Sequence, residues 1–159
     1  MVRALKLSLL VLALVVVQTT LLARLNFFGV MPDLSLVAVI IYASLSPRQF
    51  ANVFAAGAGL IQDALATGIY IHTLLSVLLS NIICNLKEGY IGDDYRFVLG
   101  LVLVVSPCAI LLESAYQLFV LKHLFSPYYF VFRLIAGTGY NLLFVPLLYP
   151  FLRQISRGE

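Results

Sequence analysis

The chain has 159 residues, 62% hydrophobic and 11% charged, with a net charge of +3 and a mean hydropathy of +1.04. A soluble domain carries roughly 25% charged residues, so this composition leaves too little polar surface to face water, and its scattered basic residues argue against a nucleic-acid site. At about 20 residues per crossing, roughly six membrane spans use nearly the whole length and leave no room for a soluble catalytic domain.

The first apolar run, Leu5 to Ala23, carries Arg3 and Lys6 at its start, as a signal peptide would. After Val17 come Gln18, Thr19, Thr20, Leu21 and Leu22. No A-x-A-like cleavage site is present, so the run reads as a retained span (5–23), and no lipidation signal stands at either end. The second predicted span, 32–45, opens with Pro32 and Asp33, favourable first-turn residues, and stops at Ser46, Pro47 and Arg48. It is the shortest of the six.

The third span, 50–66, is rich in Ala and Gly, and Thr67 and Gly68 turn it into the fourth, 69–86, as a tight helical hairpin. Residues from Lys87 to Arg96 form the one markedly polar stretch and the largest expected water-exposed loop. The fifth span, 97–121, contains Pro107, which should kink it. The sixth, 128–152, carries Gly137, Gly139, Pro146 and Pro150, so irregular last turns are expected. The fold class is thus all-α, one polytopic transmembrane bundle with no internal repeat or linker.

Positive residues favour the cytoplasmic side of short loops. With Arg3, Lys6, Arg48, Lys87, Arg96, Arg153 and Arg157 on one side and only Arg24 and Lys122 on the other, both termini are placed in the cytoplasm. Tyr128, Tyr129 and Tyr149 fall near predicted interfaces. Cys84 and Cys108 show no metal or disulfide spacing and read as small core residues.

Charged groups in hydrocarbon cost a few kcal/mol each and tend to be paired. Asp63, Glu113 and Arg133 lie within predicted spans, at depths of roughly 5, 12 and 8 Å from the outer ends by a rise of about 1.5 Å per residue. Gln18, His72 and Gln117 share that depth. The expectation is one outward-facing polar cluster with Arg133 paired to Asp63 or Glu113, acting as glue between helices, as a ligand site or as a partner contact. Ala51, Ala55 and Gly59 recur every four residues and form a small-residue stripe that Asp63 continues. Such stripes bring helices close, within a bundle or at an interface with a partner or a second copy. Ser76, Ser80, Asn81 and Asn85 are candidates for cross-helix bonds. No nucleophile-and-base pair, P-loop, HExxH or GxSxG appears, so no enzyme, cofactor or metal is expected.

The order of these features resembles the MreD family, the small membrane component of the bacterial rod-shape (elongation) system. The likeness rests on the first span ending in Gln18, Thr19, Thr20, Leu21 and Leu22, on Pro32, Asp33 and Leu34 opening the second, and on Gly59, Leu60, Ile61, Gln62, Asp63 and Ala64, similar to the family's G-L-x-x-D signature. It covers most of the chain and weakens after Asp94; Glu113 and Arg133 receive no family role. The resemblance implies a non-enzymatic multi-pass scaffold of the bacterial inner (cytoplasmic) membrane that binds MreC and helps couple MreB filaments to RodA and its transpeptidase. It also implies an architecture like the six-helix substrate-binding subunits of energy-coupling-factor vitamin transporters, although fold does not carry function. A transporter subunit of that kind is the alternative reading, with Tyr70, Tyr116 and Tyr128 as expected pocket walls, and membrane lipid is the remaining partner.

Overall fold

The computed structural model describes residues 30–65, 71–119, 122 and 126–157, with residues 13, 16 and 17 besides. Its helices are α1 (Leu34–Leu45), α2 (Arg48–Leu65), α3 (His72–Glu88), α4 (Asp94–Phe119) and α5 (Pro127–Arg157). The predicted first span and Gln18 lie outside the described residues apart from those three positions.

The shortest helix is the centre of the molecule. Every residue of α1 except Leu45 is buried, and α2, α3, α4 and α5 all pack on it. A helix that is apolar on all sides is one surrounded by protein, and the run Val37, Ala38, Val39, Ile40 and Ile41 has that character. Two hairpins, α2 with α3 and α4 with α5, flank this hub and pack on it more than on each other. The Tyr42 ring meets Phe54 of α2 with centroids 4.6 Å apart, while its phenol oxygen is buried with no hydrogen-bond partner among the described residues. Since an unmade buried bond costs about 1–3 kcal/mol, Tyr42→Phe should leave thermal stability unchanged or raise it. A fall of several degrees in a melting curve would contradict that packing.

The α1 start differs slightly from the sequence expectation. Asp33 is the N-cap rather than a first-turn residue: its carboxyl group accepts the Leu36 N–H at 3.0 Å. Its own N–H donates to Asn141 Oδ1 at 2.8 Å, and Asn141 Nδ2 donates to Ser106 Oγ at 3.1 Å. One chain of bonds, part-buried at Asp33 and buried between Asn141 and Ser106, therefore ties the start of α1 to the middles of α5 and α4. At the other end Ser156 Oγ donates to the Leu45 carbonyl at 3.1 Å.

By length and composition two helices, α4 and α5, are long and apolar enough to cross a membrane, and only about a third of the apolar 18-residue stretch of each is buried (33% and 28%). Among the described residues the count is two such helices rather than six. α1 and α3 are shorter, and α2 carries Arg48, Gln49, Asn52, Gln62 and Asp63.

Several local expectations are corrected. The polar loop is shorter than the stretch Lys87 to Arg96, because Lys87 and Glu88 complete α3 and Asp94 opens α4; Asp93 accepts the Tyr95 N–H at 3.2 Å and so starts the helix early. The last turns of α5 are not irregular: the helix runs through Pro146 and Pro150 to Arg157, held by the buried side chains of Val145, Leu148, Tyr149 and Leu152. Tyr149 is therefore a core residue, edge-on to Tyr95 with centroids 5.0 Å apart, whereas Tyr128 is 90% exposed. Cys84 is buried, but Cys108 faces outward from α4.

Candidate functional site

The α2–α3 hairpin is closed by two residues one helical turn apart. At Gly59 the backbones approach so closely that a Cβ would stand 2.4 Å from Thr73 Cα and 2.9 Å from the His72 carbonyl oxygen. Four residues on, Asp63 reaches the same pair. Its Oδ1 accepts the His72 N–H at 3.0 Å with His72 Nδ1 2.9 Å away, and its Oδ2 accepts the Thr73 N–H at 2.9 Å and the Thr73 hydroxyl at 2.5 Å.

The first N–H groups of a helix have no partner inside it. α3 begins after Ile71, whose side chain makes no capping bond. A carboxyl group from the neighbouring helix thus supplies the acceptor that the local sequence lacks. Ala51 and Ala55, earlier on the stripe, are buried as well. Further along the interface Asn52 Nδ2 donates to Asn81 Oδ1 at 3.0 Å, Ser80 donates to Asn52 Oδ1 at 2.8 Å, and Arg48 meets Asn85 and Glu88. Polar bonds therefore run the length of the hairpin seam, which is where Arg48, Asn52 and Asp63 of α2 go.

The second polar group joins α4 to α5. Arg133 lies 2.9 Å from Glu113, and its guanidinium also donates to Gln117 Oε1 at 3.3 Å and Ser114 Oγ at 3.4 Å. Among the described residues the expected cluster is hydrogen-bonded as two groups, Asp63 with His72 and Thr73 in one hairpin, and Glu113 with Arg133 and Gln117 in the other. Of the two carboxylates considered as partners for Arg133, the geometry selects Glu113. With the Glu113 side chain 43% exposed, Arg133→Ala lowers stability by up to about 1 kcal/mol. The charge-swapped double variant, Glu113→Arg with Arg133→Glu, should then recover part of the loss. No recovery in a denaturant titration would count against the pair.

Between α3 and α4, with α1 as its floor, lies a cleft of about 240 Å³. Asp33, His72 and Glu113 stand at its polar end, and Leu36, Leu75, Leu78, Ala109 and Leu112 line the rest. A smaller pocket beside it, about 60 Å³, is bordered by Asp33, Glu113, Arg133 and Asn141. The cleft is thus where residues of both polar groups meet. Tyr116 and Tyr128 line neither space, and Tyr70 lies outside the described residues.

Pro32 is buried directly before the α1 cap. Residues that sequence reasoning missed include Asn52, Thr73, Ser106, Ser114 and Asn141. A threonine at a helix start is a recognisable capping signal, but nothing along the chain pairs Asn141 with a residue more than a hundred positions away. Among the described residues no group of three or more His, Cys, Asp or Glu side chains is arranged to hold a metal ion.

No family model, no curated protein and no solved structure matches the chain.

Proposed function

We propose that this chain is a non-enzymatic, six-span scaffold of the bacterial inner membrane, similar to MreD, that binds MreC and helps link MreB filaments to RodA and its transpeptidase. The observation that carries the reading is the use made of two of the three motifs on which the resemblance rests, those that fall among the described residues. Asp33 of the Pro32–Asp33–Leu34 motif caps the central helix, while Gly59 and Asp63 of the G-L-x-x-D motif clamp α2 on α3. With both Asp63 oxygens engaged by His72 and Thr73, its chemistry is spent on joining helices.

Exposure along the helices fits a lipid surrounding. Leu74, Leu78, Ile82 and Leu86 form an exposed ridge on α3, and Leu103, Val104, Leu111 and Leu112 another on α4. At about 1.5 Å per residue, α2 and α3 reach roughly 25–27 Å, close to the ~30 Å hydrocarbon thickness. Both termini lie on the cytoplasmic side in this reading, and no cofactor or metal takes part.

The test is detergent co-purification of the tagged chain from its native membrane. Near-equal recovery of MreC is the expected outcome. The cleft at Asp33, His72 and Glu113 favours a second reading, the substrate-binding subunit of a small-molecule transporter; recovery of an ATPase pair with a coupling subunit would replace the first reading by the second.

A further inference from the structure

The connection from α3 to α4 holds one apolar residue entirely clear of the protein. Ile91 is 101% exposed, yet the chain around it is tightly made: the Gly89 and Tyr90 N–H groups donate back to the Leu86 and Lys87 carbonyls at 3.3 and 3.1 Å. The Tyr90 ring folds over Gly92, where a Cβ would stand 2.6 Å from the phenol oxygen, and stacks on Phe97 with centroids 4.5 Å apart. Ile91, between Tyr90 and Gly92, is thereby left outermost. The acids nearby are engaged elsewhere: Glu88 lies 3.5 Å from Arg48, Asp93 accepts the Tyr95 N–H at 3.2 Å, and Asp94 stands in the first turn of α4, where the helix dipole favours it. Lys87 and Arg96 flank the tip.

Chain length limits how far Ile91 can stand from the bilayer. On the membrane-spanning reading, on which this inference rests, α3 starts with His72 at the outer hydrocarbon edge, and its 17 residues rise about 25 Å. Three more residues add at most about 10 Å even when fully extended. The hydrocarbon core and one headgroup layer together measure roughly 35–38 Å, so Ile91 reaches no further than the headgroups. At that level an isoleucine and a tyrosine have the apolar boundary to enter, and Lys87 and Arg96 have lipid phosphates to meet. We propose that Tyr90 and Ile91 form an interfacial anchor, with Ile91 buried at the boundary of headgroups and acyl chains in the protein's own bilayer, on the side of Lys87 and Arg96. Such an anchor fixes the connection between two hairpins that pack on α1 more than on each other.

The sequence has no tryptophan, so a single introduced one is a unique fluorescent reporter. The purified full chain is placed, as the only protein, in phosphatidylcholine vesicles whose lipids are brominated either near the headgroup or near the chain end. Tyr90→Trp should lose most of its emission to the shallow bromines and little to the deep ones. Leu78→Trp, on the exposed ridge of α3 and about 15 Å before Glu88, should show the reverse. Ile91→Asn, added to Tyr90→Trp, should at least halve the shallow quenching. Strong quenching of Leu78→Trp with none of Tyr90→Trp places the loop in water and overturns the anchor alone, as does shallow quenching that Ile91→Asn leaves unchanged. Shallow quenching that falls as more protein is packed into each vesicle means that a second copy covers the loop, and also overturns it. If neither reporter is quenched, the membrane-spanning reading fails and the anchor with it.

Discussion

Asp63→Ala lowers the unfolding free energy of the solubilised protein by roughly 2–4 kcal/mol, the sum expected from losing a helix cap and leaving buried donors without acceptors. The Asp63 side chain is 1% exposed, so water does not replace the missing oxygens. The His72 and Thr73 N–H groups and the Thr73 hydroxyl all lose their acceptor at once. Asp63→Asn keeps one oxygen and should lose less, and Thr73→Val, which removes only the hydroxyl bond, less again. The order of the three in a thermal or denaturant titration is the check. A loss below about 0.5 kcal/mol for Asp63→Ala would show that the hairpin does not depend on this cap. In cells, the same variant should recover less MreC if the proposed scaffold function holds, because the α2–α3 hairpin would no longer present a fixed face.

The second large effect is a change of sign between two glycines two residues apart. Gly57 and Gly59 both sit inside α2, where alanine is ordinarily favoured over glycine by about 1 kcal/mol. A Cβ at Gly57 meets nothing within 4 Å, so Gly57→Ala should stabilise by roughly that amount. At Gly59 the Cβ would collide with the Thr73 backbone at 2.4 Å. Backbone cannot swing aside as a side chain does. Gly59→Ala should therefore destabilise by about 1–3 kcal/mol, with a larger loss for Gly59→Val. If both alanine variants move the melting temperature upward, the two helices are not in contact at Gly59. Forcing them apart also lengthens the Asp63 contacts, so Gly59→Ala and Asp63→Ala should be less than additive when combined, as neighbouring sites are.

Asp63 and Gly59 illustrate how far the order of residues can be read. Their four-residue spacing puts both on one face of a helix, which is enough to nominate a packing seam before any coordinates exist. The identity of the opposing residues is another matter. Depth in the membrane points to His72 but not to Thr73, because which residue begins α3 depends on where the turn after α2 ends. Arg133 has two carboxylates at a suitable depth, and helix order alone does not decide between them; the pairing of α4 with α5 does.

The polar loop and the end of α5 depart from expectation for a related reason. Runs of charged residues and paired prolines are read as breaks, yet a helix continues through them when its flanking side chains are buried by neighbours. Lys87 and Glu88 extend α3, and Leu148, Tyr149 and Leu152 carry α5 past Pro146 and Pro150.

Composition and apolar periodicity by themselves determined the all-helical class, the approximate ends of most helices and the place of Asp33 at a helix start, because these follow from hydrogen bonding and burial within one segment. Only the tertiary structure decided that the shortest helix is the hub, that the polar residues are bonded within two separate hairpins, and that a cleft lies between α3 and α4. Each of these depends on contacts between residues far apart in the chain, whose energies come from packing and desolvation at a place that no local pattern specifies.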